Sequence, residues 1–69
     1  METKLIRFVK ETFELDTGKK VTIEAYEYEV IGHDYATLEI EGLGRMEMTR
    51  RDLVQLTNIL NRVTERIDW

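Results

Sequence analysis

A chain of 69 residues with 42% hydrophobic and 35% charged side chains has the composition of one folded domain, residues 1–69, near the smallest size that a single apolar core supports. It has no Cys, no Ser and one His, which excludes disulfides, thiolate metal ligands and serine or cysteine nucleophiles and leaves association with another chain as the support for so small a core. The formal charge of −4 is uneven: eleven acids face six bases over residues 1–48, and three acids face four bases over residues 49–69, a balance that repels phosphate and attracts basic partner surfaces.

The first strand-like run, Leu5 to Leu15, starts with its large apolar residues on even positions (Ile6, Phe8) and ends with them on odd ones (Phe13, Leu15). The turn signal Asp16-Thr17-Gly18-Lys19 follows. The second run, Lys20 to Val30, starts odd (Val21, Ile23, Ala25) and ends even (Tyr26, Tyr28, Val30). Pairing Phe13 with Val21 puts Phe8 opposite Tyr26 and Ile6 opposite Tyr28. The same register sets Lys10 against Glu24 and Arg7 against Glu27, two favourable cross-strand charge pairs. The apolar face therefore changes in step on both strands. Either a bulge re-aims each strand, or the hairpin is apolar on both sides and one side belongs to a partner.

Gly32-His33-Asp34 marks the next turn. In the third run, Tyr35 to Glu41, Ala36, Leu38 and Ile40 share one face and Tyr35, Thr37 and Glu39 the other. A loop at Gly42-Leu43-Gly44 leads to the fourth run, Arg45 to Met48, and sets Ile40 against Met46 and Leu38 against Met48, all four on one face. Thr49 is an N-cap with Asp52 at the third helical position, a variant capping box. Leu53, Leu56, Leu60, Val63 and Ile67, widened by Ile59, give a helical stripe from about Thr49 to Ile67. Trp69 lies about 200° round the helix from Ile67, off that stripe. The order is β-β-β-β-α: an α+β fold with a bent four-stranded antiparallel sheet and one C-terminal helix on one face. Leu38, Ile40, Met46 and Met48 are the expected floor for that helix, and Leu60 its costliest position to truncate.

No site of group chemistry is expected. His33 adjoins Asp34 in a turn, where neighbouring side chains diverge, and a base needs its orienting carboxylate to face it. Gly42-Leu43-Gly44 leads into a strand and not into the helix N-terminus of a phosphate cradle. One imidazole without clustered carboxylates builds no zinc site, and no cofactor is implied. No apolar run approaches the roughly 20 residues that cross a bilayer. Met1-Glu2-Thr3-Lys4 does not open a signal peptide, and the missing cysteines suit the cytoplasm, the expected location.

Phe8, Tyr26 and Tyr28 fall together on the even face of the first hairpin. With the acids Glu24, Glu27 and Glu29 around them, they are the candidate partner-binding residues. If the tyrosines line the core instead, Phe13, Val21 and Ile23 become the exposed set. Gly44-Arg45-Met46-Glu47-Met48-Thr49, followed by Asp52-Leu53 and Leu56, resembles the strand-to-helix junction of the PC4-like single-stranded DNA-binding proteins. That resemblance implies four strands, a C-terminal helix and a dimer. The acidic strands here depart from the basic ones that family uses on nucleic acid.

The functional expectation is a non-enzymatic binding protein that covers a surface on another protein. It is an inhibitor or adaptor of the kind phages and mobile elements direct at host machinery, and a homodimer at micromolar concentration. The alternative is a single-stranded nucleic-acid binder with Phe8, Tyr26 and Tyr28 as stacking platforms and Lys4, Arg7, Lys10, Lys19 and Lys20 near the phosphates.

Overall fold

The computed structural model describes residues 3–67, so Trp69 lies outside the described residues. Four strands form one antiparallel sheet in sequence order: β1 (Leu5–Glu14), β2 (Lys20–Tyr28), β3 (Tyr35–Ile40) and β4 (Gly44–Thr49). One helix, α1 (Arg50–Arg66), follows and packs on the sheet, an α+β arrangement.

The first hairpin has the expected register from the turn up to Arg7. Phe13 pairs with Val21, Lys10 with Glu24, Phe8 with Tyr26 and Arg7 with Glu27. Gly18, at φ 92°, closes the turn by donating its N–H to the Leu15 carbonyl at 2.8 Å. The one irregularity lies between Leu5 and Arg7, so Leu5, not Ile6, stands opposite Tyr28. A single bulge at the open end takes Ile6 out of the ladder and turns Leu5 onto the Tyr28 face, leaving the pairing from Arg7 to the turn unchanged. The two strands do not bulge together over their apolar switch. The hairpin is apolar on both sides.

The second hairpin corrects the expected register by two residues. Ile40 pairs with Gly44, Leu38 with Met46 and Ala36 with Met48. The cause is a tight turn, in which the Leu43 N–H reaches the Ile40 carbonyl at 2.9 Å with Gly42 at φ 83°. That geometry needs positive φ at its third residue, which glycine supplies without strain. A two-residue slip keeps every side chain on its face, so Leu38, Ile40, Met46 and Met48 still share one side.

Cross-strand pairing defines two faces. The first carries the rows Val9–Ala25–Ala36–Met48, Glu11–Ile23–Leu38–Met46 and Phe13–Val21–Ile40. The second carries Phe8–Tyr26–Tyr35–Thr49 and Lys10–Glu24–Thr37–Glu47. The helix sits on the first face. Leu53 borders a hollow of about 230 Å³ shared with Val9, Ala25 and Ala36, and the helix packs against β3 and β4. Among the described residues, Ala36, Met48 and Val21 are the buried apolar ones.

The floor expected for the helix is largely open. Leu53 and Leu56 are half-buried, and every described residue of α1 beyond Leu56 is exposed. Leu60 is 56% exposed and Met46 53%, so neither covers the other. This overturns Leu60 as the costliest helix position. The capping box ties the first turn of α1 to the end of β4: the Asp52 N–H donates to Thr49 Oγ1 at 3.1 Å and the Thr49 N–H to Asp52 Oδ2 at 3.2 Å. Contact with the sheet is concentrated at this end. Thr49→Ala is expected to cost about 1 kcal/mol, read as a lower urea midpoint with unchanged slope, because one N-terminal amide loses its acceptor.

Candidate functional site

The second sheet face, opposite α1, carries a row of stacked rings. Phe8, Tyr26 and Tyr35 are direct cross-strand neighbours on β1, β2 and β3. The Phe8 and Tyr26 centroids are 5.1 Å apart with planes tilted by 45°. Tyr26 and Tyr35 stack at 4.6 Å and 16°, and Tyr28, two residues along from Tyr26, stacks on Tyr35 at 6.1 Å and 15°. Offset stacking is favourable for ring quadrupoles and holds each ring in place. The rings remain accessible: Phe8 is exposed and the three tyrosines are half-buried.

Polar partners fix the lower edge of this row. The Tyr26 hydroxyl donates to Glu24 Oε2, and the same carboxylate oxygen lies 3.9 Å from Arg45 Nη2. Glu47 shares this face beside Thr37. At the upper edge, Asp34 Oδ1 accepts the Tyr28 backbone N–H at 2.9 Å while its Oδ2 lies 3.8 Å from Arg50 Nη1. Asp34 thus links the end of β2 to the start of α1. His33 Nδ1 lies 3.3 Å from Thr3 Oγ1. The Asp34 carboxylate is therefore occupied by partners other than His33.

The candidate residues divide between the faces. Phe8, Tyr26, Tyr28 and Glu24 come together. Glu27 lies on the opposite face, paired with Arg7 at 3.5 Å, because it is one residue out of phase with Tyr26 and Tyr28. Glu29 is exposed beyond the end of β2, where its N–H donates to the Lys4 carbonyl at 2.9 Å. The sequence reading did not join Tyr35, Glu47 and Arg45 to the patch. Tyr35 lies, as the alternation of β3 predicts, on the side away from Leu38 and Ile40. Only the β2–β3 register, with Tyr26 opposite Tyr35, brings it into the row.

Two of the phenols are harder to ionise than usual. Tyr26 is raised chiefly by its hydrogen bond to Glu24, then by burial and by the Glu24 charge. Tyr35 is raised chiefly by burial, then by the neighbouring Tyr28 phenol. An unfolded tyrosine ionises near pH 10, earlier than these two in the folded protein. Their contribution to stability is therefore fully present below about pH 10 and is lost as pH rises through the folded values. Urea midpoints are expected to fall above about pH 10, and to fall less in Tyr26→Phe with Tyr35→Phe. An identical decline in that variant would remove the phenols as its cause.

Among the described residues, no three His, Asp or Glu side chains converge as a metal-binding group, and no helix is long and apolar enough to cross a membrane. No family model, no curated protein and no solved structure matches this chain.

Proposed function

We propose that this is a non-enzymatic binding protein that acts in the cytoplasm by protein–protein contact, as an inhibitor or adaptor. Its docking surface is the aromatic face of Phe8, Tyr26, Tyr35 and Tyr28, with Glu24 and Glu47 beside it. One observation carries this reading: three stacked tyrosines and a tilted Phe8 form a continuous, accessible row on the sheet face that α1 leaves open. Rings already held by one another lose little conformational freedom on binding, and large aromatics dominate interface energetics. The acids beside them favour a partner with a basic rim. Glu27 and Glu29 belong to the surroundings of this surface and not to its centre. The homodimer expected from the chain's size is part of the same proposal.

The alternative is supported by the near-parallel Tyr26, Tyr35 and Tyr28 planes, which suit base stacking as in a PC4-like binder of single strands. The charges on that face speak against it. Arg45 there is engaged by Glu24, and Lys10 faces the same carboxylate across the strands. The test has two arms. Tagged protein captures partners from the native host, with identification by mass spectrometry, and a fluorescent single-stranded oligonucleotide is titrated at increasing salt. A protein retained by the wild type and lost by a folded Tyr26→Ala, Tyr28→Ala variant supports the proposal. Tight oligonucleotide binding that weakens steeply with salt replaces it with the alternative.

A further inference from the structure

The chain exposes 6164 Å² of surface. A compact monomer of its 8.2 kDa mass is expected to expose about 4,500 Å². Its radius of gyration is 14.4 Å, against about 11 Å for a compact chain of this length. The excess, about 1,600 Å², is of the size that obligate homodimers bury on each protomer. It is also apolar in two matched places. Along α1, Ile59, Leu60, Val63 and Ile67 are 45–56% exposed and form one stripe. On the sheet face that carries the helix, Phe13 and Met46 are 53% exposed beside the half-buried Ile23, Leu38 and Ile40. A helix stripe without a floor and a floor without a helix occur on the same chain. That is the self-complementarity a two-fold interface requires.

From this we infer that the cover of both is a second copy of this chain. The outer half of each α1 from Ile59 onward, with its C-cap Ile67, seats on the Phe13, Ile23, Leu38 and Met46 floor of its partner and receives the partner's helix in return. The aromatic face lies on the other side of the sheet, so the dimer leaves it open and presents it twice. This arrangement rests on the homodimer expected above and adds to it the seat.

Sedimentation and crosslinking test the two parts separately. Wild-type protein is expected to sediment at twice 8.2 kDa across the micromolar range. The chain has no cysteine, so single thiols can be placed at will. Leu60→Cys and Met46→Cys chains, mixed and treated with a short bismaleimide, are expected to give a mixed crosslinked dimer as the main product, abolished in urea. Leu60→Glu with Val63→Glu is expected to weaken association by about a hundredfold or more, since two charges would enter the buried seat. A wild type that stays at 8.2 kDa overturns both the dimer and the seat. A dimer in which positions 46 and 60 do not link, or in which 60 links only to 60, overturns the seat alone. The crosslink decides the matter even if the double glutamate variant fails to fold.

Discussion

Met48→Ala is expected to abolish cooperative folding, or to leave a protein with only residual stability, while Leu60→Ala does not. Met48 is 7% exposed, opposite Ala36, which is 1% exposed, at the end of the sheet where α1 docks. Truncating a buried methionine removes its transfer energy and leaves a cavity, together about 2–5 kcal/mol. A disulfide-free domain of this size rarely has more than about 3–5 kcal/mol to lose. Leu60 is 56% exposed, so truncating its side chain removes little buried surface within its own chain. Alanine there also gains slightly in helix propensity. Any cost of Leu60→Ala should therefore appear only where two copies associate, as a midpoint that depends on protein concentration. Urea titrations of both variants at two protein concentrations separate the cases. A large cost for Leu60→Ala independent of concentration would place the stripe on its own sheet after all.

The sequence held much of this fold in a readable form. Phe13 with Val21, Phe8 with Tyr26, and two charge pairs agreed on one register for the first hairpin. Four independent pairs cannot all be satisfied by a slipped one. Thr49 and Asp52 marked the start of the helix because a capping box has a fixed spacing. Other features were not readable, for physical reasons. The loop of Gly42, Leu43 and Gly44 permits turns centred on either glycine, and both keep the same face, so the pattern of apolar residues does not choose between them. The bulge at Ile6 lies at the open end of the hairpin, where the apolar pattern reads equally well with Leu5 or Ile6 opposite Tyr28. The stripe on α1 reports that the helix has a covered side. It is the same stripe whether its own sheet or another copy does the covering. Leu53 borders a hollow beside Ala25 and Ala36, and only the β2–β3 register, which the apolar pattern of either strand alone does not give, brings those two alanines together.

Tyr26→Ala with Tyr28→Ala is expected to remove partner binding while leaving the fold and the dimer in place. The two rings flank Tyr35 in the stack, so their loss breaks a row of four into isolated Phe8 and Tyr35. Truncating an interface aromatic often costs 2 kcal/mol or more, and two in one patch should weaken binding by about three orders of magnitude if their effects add. The same change costs the free protein less, because both residues are half-buried and belong to the sheet face opposite the one that carries Ala36, Met48 and the helix. It does remove stacking worth roughly 0.5–1.5 kcal/mol per pair and frees Glu24 from the Tyr26 hydroxyl. Phe8→Ala is the milder companion, since Phe8 is 48% exposed and ends the row. It should weaken binding in the same direction with a smaller effect on the urea midpoint. Calorimetric titration of the captured partner into wild type and both variants, with circular dichroism as the check on folding, measures this directly. Folded variants that bind as the wild type does would move the docking surface off the aromatic face. Equal losses of binding and folding in both variants would make the rings a second core.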